Sequence, residues 1–196
     1  VPPFDVLRAY LAARAVFTAD EFEVVRAAFA PLSLQSGQYV QRAGEVARHA
    51  VFVARGCLRS YVIDAGGREH VVQFAPQEWW LADANSLRNQ SPSQYFIDAI
   101  EDSDLLLIDG PGHDALVERV PGYAAAFRVG LQRHAAAKDE RIVRSLSATA
   151  EERYLEFLRM YPSIASRVPQ RMLASYLGVS PETVSRIRKK LSRKNK

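Results

Sequence analysis

Near the C-terminus, Glu182, Ser185, Arg186 and Lys189 recur at spacings of three, one and three residues, which on a helix puts all four on one face. That face offers a carboxylate, a hydroxyl, a guanidinium and an ammonium, and a helix of this width fits the DNA major groove. The pattern reads as a recognition helix. An ordinary helical hairpin with a solvated basic face is the alternative reading of the same residues.

A face of this kind is useful only if other elements hold it still. Ala174 is small enough for a second helix to cross closely, and Gly178 supplies the backbone freedom that a tight interhelical turn needs. Ser180 is placed to N-cap the next helix, and Pro181 suits its first position, where a missing N–H costs nothing. Leu173, Leu177, Val179, Val184, Ile187 and Leu191 are spaced to bury one stripe between the two helices. Small residue, glycine, cap and proline coincide at the offsets of a helix-turn-helix.

Charge placement agrees with this reading. Residues 151–196 hold 11 Lys and Arg against 4 Asp and Glu, whereas residues 1–150 hold 15 against 18. The net charge of +4 therefore conceals a basic C-terminal segment and a mildly acidic remainder. A basic segment of this kind meets phosphates, and Lys190 is expected to make such a contact. Arg193, Lys194 and Lys196 are either further phosphate contacts or a frayed, solvated tail.

At 196 residues and 48% hydrophobic content, the chain can bury one large or two small cores. No apolar run approaches the roughly twenty residues of a membrane span, and Val1-Pro-Pro-Phe-Asp lacks the regions of a signal peptide, so a cytoplasmic protein with no membrane partner is expected. Cys57 is the single cysteine, so one subunit cannot build a disulfide, a cysteine-ligated cluster or a structural zinc site. His49, His70, His113 and His134 show no spacing that singles out a haem-ligating pair or a metal site. No catalytic constellation emerges, and the chain is read as a non-enzyme. A metal-dependent β-barrel enzyme would need clustered histidines, and there is no His-x-His.

From the N-terminus, an amphipathic stretch covers Val6 to Leu11, and Thr18-Ala-Asp-Glu21 forms a capping box before Phe22, Val25 and Phe29. From about Leu34 to Ile108 the texture changes to short runs punctuated by glycine: Tyr39-Val40, Ala50–Ala54, Cys57–Ile63, His70–Phe74, Tyr95–Ile100 and Leu105–Ile108. Such strands predict a β-sandwich or barrel, with the clearest hairpin at Asp64-Ala-Gly-Gly67. After Pro121 the pattern is helical, with Phe127, Leu131, Ala135, Lys138 and Ile142 forming one stripe. About 25 residues of helix span about 37 Å, which suits a dimer seam. Packing against the β-domain alone is the other use of that stripe. A single helix-turn-helix reads few base pairs and usually works as a two-fold pair, which favours the homodimer.

The order of parts resembles the cAMP receptor protein/FNR (Crp/Fnr) family of bacterial transcription regulators over nearly the whole chain. The most specific stretches are Ser180-Pro-Glu-Thr-Val-Ser-Arg186, similar to the family's recognition-helix core, and Gly56-Cys-Leu-Arg-Ser-Tyr-Val-Ile-Asp-Ala-Gly-Gly-Arg-Glu69, which resembles its β-hairpin. The resemblance implies an α+β chain. Residues 1–118 would form a cyclic-nucleotide-binding-like β-roll (a double-stranded β-helix) with a helical lead-in, 119–146 a long dimerisation helix and 147–196 a helix-turn-helix domain. It implies a homodimer on double-stranded DNA, with RNA polymerase as a further partner. Within the match, Arg186 donates to a guanine edge, Glu182 accepts from a cytosine amino group, and Thr183 and Ser185 touch phosphates or adjust the fit.

The departures from the family concern its ligand. Members that bind cyclic AMP carry a Gly-Glu-Leu run followed by Arg-Ser or Arg-Thr. The corresponding stretches here are Leu81-Ala82-Asp83 and Ser93-Gln94-Tyr95. A phosphate buried without a paired cation costs several kcal/mol, which argues against cyclic AMP in the usual pose and leaves no cofactor implied. Lys138 and Asp139 also stand where members use small hydroxyl residues against adenine. Trp79, Trp80, Ser93, Gln94, Tyr95, Phe96 and Lys138 then either line a pocket for another small molecule or belong to a collapsed core. No strand is expected after Leu191, so the family's C-terminal wing is expected to be missing, with the basic tail replacing some of its contacts. The competing reading is a small-molecule-binding β-roll protein whose terminal helices mediate protein contacts.

Overall fold

The computed structural model describes residues 1–194, except for the side chains of Arg133, His134 and Lys194. Lys196, one of the basic-tail residues, lies outside the described residues. Two helices open the chain, α1 (Pro3–Ala12) and α2 (Ala19–Ala27). Thr18 caps α2 in a complete capping box, its hydroxyl accepting from the Glu21 amide while the Glu21 carboxylate accepts from the Thr18 amide. Eight strands follow: β1 (Ala30–Leu34), β2 (Tyr39–Gln41), β3 (His49–Arg55), β4 (Cys57–Ile63), β5 (Glu69–Pro76), β6 (Trp80–Leu81), β7 (Phe96–Ala99) and β8 (Ser103–Asp109). A short helix α3 (Ala84–Asn89) interrupts them, and the helices α4 (Gly110–Arg119), α5 (Pro121–Ser147), α6 (Ala150–Met160), α7 (Gln170–Leu177) and α8 (Pro181–Lys194) close the chain.

The strands form two four-stranded sheets, ordered β1-β8-β3-β6 and β2-β7-β4-β5. β1 pairs with β8, β2 with β7, and β3 with both β6 and β8, all antiparallel. The short strands thus form the two-sheet arrangement they predict, the β-roll that the family resemblance implies. Its inner core takes Val51, Val53 and Leu105 from one sheet and Leu58, Ala75, Ile97 and Ala99 from the other. Alternate residues of the same strands, Phe52, Ala54, Leu106 and Ile108, point the opposite way. They are covered by Leu7, Leu11, Val25, Leu116, Tyr123 and Ala126 from the flanking helices. Burial on both faces explains why β3 and β8 read as continuous apolar runs rather than alternating ones.

Among the elements that the sequence reading missed, β1, β6, α3 and α4 each escape it for a physical reason. β1 contains Pro31, which lacks a ladder donor and is tolerated because β1 is an edge strand. β6 is only two residues long, and α3 is short and polar. α4 begins Gly110-Pro-Gly, residues that read as breakers. Here Pro111 occupies the first turn and the Asp109 carboxylate accepts from the Gly112 amide at 2.7 Å. α5 is 27 residues long and starts at Pro121, after the non-helical Val120.

Contacts divide the chain into two compact units. The first comprises residues 1–60 and 74–134, and the second residues 61–73 and 135–196. The division falls inside α5 rather than at its ends, and the β4–β5 hairpin tip counts with the C-terminal helices rather than with the roll. In that tip the Asp64 carboxylate accepts from the Gly66 and Arg68 amides at 2.8 and 3.0 Å, and only Gly67 takes a positive φ. His70, 2.7 Å away, is the main cause that holds the Asp64 carboxyl below its ordinary range, assisted by those amides. Among the described residues, no helix is long and apolar enough to cross a membrane.

Gly56, between β3 and β4, has φ +90°, and a Cβ there would lie 2.7 Å from the Asp102 carbonyl oxygen and 2.8 Å from the Ser103 Cα. Gly178 also has a positive φ, +66°, but nothing lies within 4 Å. Gly56→Ala is therefore expected to cost about 2–3 kcal/mol, from strain plus a backbone clash. Gly178→Ala is expected to cost about 1 kcal/mol, from strain alone. Urea unfolding of the two variants checks the order.

Candidate nucleic-acid interface

α6, α7 and α8 pack on one another around Tyr154, Phe157, Leu173, Ala174, Leu177, Val184 and Ile187, all buried. Ala174 is 1% exposed and Val184 is fully buried, the close approach that a small residue allows. Gly178 ends α7 in the left-handed conformation. The Gly178 amide donates to Ser175 and the Val179 amide to Ala174, closing the α7 C-terminus. The Ser180 hydroxyl accepts from the Thr183 amide at 3.3 Å, capping α8, and Gln170 Nε2 donates to the Pro181 carbonyl at 2.7 Å. Of the predicted stripe, Leu173, Leu177, Val184 and Ile187 are buried, while Val179 and Leu191 are only half-buried at its ends.

With Val184 and Ile187 turned inward, Glu182, Ser185, Arg186 and Lys189 are all exposed, and Thr183 is half-buried beside them. Arg186 Nη2 donates to the Thr183 hydroxyl at 3.0 Å. The Ser180 hydroxyl and the amide of α8's first turn, with Arg186 nearby, hold the Glu182 carboxyl below its ordinary range. An ionised Glu182 only accepts hydrogen bonds. Arg193 is helical and exposed, spaced four residues beyond Lys189 on the same face. The sequence reading had left it between contact and frayed tail, and the length of α8 is what places it on the face.

Two basic residues are already engaged. Arg188 Nε donates to the Tyr154 hydroxyl at 3.2 Å. Lys190 forms an ion pair with Glu151 on α6, a partner that no spacing rule could reveal because 39 residues separate the two.

The β4–β5 hairpin is bonded to α7 in the same unit. The Ser175 hydroxyl accepts from the Val71 amide at 2.9 Å and donates to the Glu69 carbonyl at 2.7 Å, as a neighbouring strand would do for the edge strand β5. Arg141 of α5 donates to the carbonyls of Val71, Val72 and Tyr176, and its guanidinium lies 4.1 Å from the centre of the Tyr176 ring. Arg153 of α6 likewise donates to the carbonyls of Leu177 and Ala148. The two arginines satisfy carbonyls at helix C-termini, where cations are favoured.

The residues expected around a ligand do not come together as one pocket. Trp80 packs in the core outside the roll, within 6.5 Å of Tyr10, Phe29 and Phe52 ring centres, while Trp79 packs against the inner core. Trp79, just before β6, and Trp80, its first residue, thus pack against different cores and do not share a pocket. The Ser93 hydroxyl is buried, donates to Asp83 and accepts from the Tyr95 amide. Gln94 is exposed and bonded to the Tyr95 hydroxyl, Phe96 stacks edge-on against Tyr39, and Lys138 is exposed on α5. An opening of about 600 Å³ does lie in the first unit. It is lined by Val40, Gln41, Glu45, Arg48, His49, Val51, Asp83 and Ile97, none of which the sequence reading named as ligand residues except Asp83, as part of the altered cassette. Asp83 caps α3, accepting from the Ser86 amide at 3.1 Å. Among the described residues no three His, Cys, Asp or Glu side chains are grouped to hold a metal ion.

Residues 31–120 match the model of the cyclic nucleotide-binding domain family. No curated protein matches the sequence. Solved structures share the fold at low identity. The c-di-GMP responsive global regulator CLP of Xanthomonas campestris is 18% identical, with 91% of this chain and 93% of that one covered and a TM-score of 0.71. FixK2 of Bradyrhizobium japonicum is 20% identical, covering 85% and 86%, with a TM-score of 0.72. A transcriptional regulator from Eubacterium rectale assigned to the Crp/Fnr family is 15% identical, covering 91% and 85%, with a TM-score of 0.66.

Ser175→Ala removes both bonds to the edge of β5 at once. We expect hydrogen exchange at the Val71 amide to accelerate and stability to fall by about 1 kcal/mol. Site-resolved amide exchange checks this, with an unchanged Val71 rate counting against the strand-like role of Ser175.

Proposed function

We propose that this chain, which has the fold of the Crp/Fnr regulators and a cyclic nucleotide-binding domain over residues 31–120, is a sequence-specific DNA-binding transcription regulator that works as a homodimer in the cytoplasm. The observation that carries this reading is the exposure of Glu182, Ser185, Arg186 and Lys189 on the face of α8 opposite the buried Val184 and Ile187. Arg186 donates two bonds to a guanine edge, and the carboxylate of Glu182 accepts from a cytosine amino group. Ser180, Thr183, Ser185 and Lys189 approach the phosphates on either side.

Dimerisation is supported by α5. Phe127, Leu131 and Ile142 of the predicted stripe are exposed, and Leu146, four residues further on, extends it at 84% exposure. An apolar stripe of this length in water calls for a partner helix, and a second copy supplies one. Two recognition helices related by a two-fold axis then read half-sites whose centres lie about 34 Å apart.

The roll is read as sensing a small molecule other than cyclic AMP or as serving structure. Asp83 supports this: a buried carboxylate already occupies the α3 N-terminus beside Ser93, so a phosphate brought there would meet a like charge. RNA polymerase is a further partner on this reading, whether the regulator activates or represses.

Selection from a random duplex pool at fixed, near-physiological salt tests the reading. A palindrome is the expected result, and failure to enrich any sequence counts against it. On the selected site, Arg186→Ala is expected to cost about 1–3 kcal/mol and to relax preference at one base pair per half-site, whereas Lys189→Ala weakens all sequences alike. Because the folded-state pKa of Glu182 is depressed, its accepting form persists down into the ordinary carboxylate range as well as above it. Base preference should therefore stay constant from about pH 5 to about pH 8 in competition binding.

A further inference from the structure

Lys190 lies on the flank of the exposed face of α8, where a DNA strand would run, yet its ammonium is held by the Glu151 carboxylate. The pair stands at the surface, with Lys190 57% and Glu151 25% exposed. Glu152, the next residue, is turned away: its carboxylate accepts from the Thr149 amide and hydroxyl at 2.7 and 2.8 Å and completes the capping box of α6. Of the two acidic residues in the first turn of α6, Glu151 is the one paired with α8. A carboxylate in that turn is favoured by the helix dipole.

We propose that Glu151 is a built-in competitor of DNA phosphate. Resting on the DNA-binding reading above, it sets the strength and salt dependence of binding without taking part in base selection. The physical basis is charge balance. Phosphate and carboxylate oxygens seek the same ammonium, so Lys190 cannot serve both. While Glu151 is ionised, the pair brings no net charge to the DNA and releases no counterion, although Lys190 by itself would neutralise one phosphate. Lys189 and Arg193, both exposed, do not share this partner. The device lowers affinity for every sequence by the same factor and leaves the ratio of specific to nonspecific binding unchanged.

The test uses the full chain with the selected duplex and a scrambled duplex of equal length, titrated by fluorescence anisotropy at several salt concentrations. The variants are Glu151→Gln, Lys190→Met and the double substitution, each checked for an unchanged thermal unfolding midpoint. Glu151→Gln is expected to bind both duplexes about two- to fivefold more tightly per subunit. It should also steepen the slope of log K against log salt by about 0.9 per subunit. Lys190→Met alone should leave the slope near that of the parent, and in the Glu151→Gln background it should cancel the gain. An unchanged slope in Glu151→Gln overturns the proposal. So does a slope flattened by about 0.9 per subunit in the double substitution relative to the parent, which would show Lys190 already on a phosphate. Absence of binding by the parent chain to either duplex is a different failure, that of the DNA reading itself.

Discussion

Val184 sits fully buried against α7, and that contact governs what the C-terminal helix can present. A helix whose Val184 and Ile187 are committed to a core has no freedom to rotate, because a turn of one residue would expose both and bury a charge. The identity of the outward residues is thus decided by the inward ones. The approach is close because Ala174 stands at the crossing and because Gly178 adopts a left-handed φ that lets the chain reverse at once. Aromatic packing among Phe157, Tyr161 and Tyr176, with ring centres 5.2–5.9 Å apart, secures α7 and the segment before it from the other side.

Arginines do different work within this unit according to what they face. Arg141 and Arg153 point at backbone carbonyls and tie together the hairpin, α5, α6 and the end of α7. Arg188 is drawn onto Tyr154, and Arg186 onto Thr183 at the exposed face. An inventory of basic residues therefore overstates the charge available to a nucleic acid. Much of the positive surplus of residues 151–196 is invested in holding the scaffold, and Lys190 is matched by an acid.

In the roll, alternation along β3, β6 and β8 serves two cores at once. Its consequence for ligand chemistry is direct: aromatic residues adjacent in sequence, Trp79 and Trp80, are claimed by different cores. The polar residues at the altered cassette are hydrogen-bonded within the fold, the buried Asp83 carboxylate accepting from the Ser86 amide and the Ser93 hydroxyl. A second buried arrangement, the two-bond pairing of Arg59 on β4 with Asp98 on β7 at 2.8 and 2.9 Å, fixes the neighbouring strands.

The local parts of this protein were legible in its sequence. The capping box at Thr18, the turn at Asp64-Gly67, the Gly178 reversal and the exposed face of α8 rest on spacings within one element, where backbone geometry leaves few choices. The edge strand carrying Pro31 and the glycine-headed α4 were not legible. Local signals there oppose the structure, and long-range packing overrides them. The sequence by itself determined the helical lead-in, most of the short strands, the long helix after Pro121 and which residues of α8 look outward. Only the tertiary structure decided that Lys190 meets Glu151, that Ser175 closes the edge of β5 and that Trp79 and Trp80 part company. Each depends on which distant segments come to lie side by side, and an interaction across many residues leaves no periodic trace in the chain.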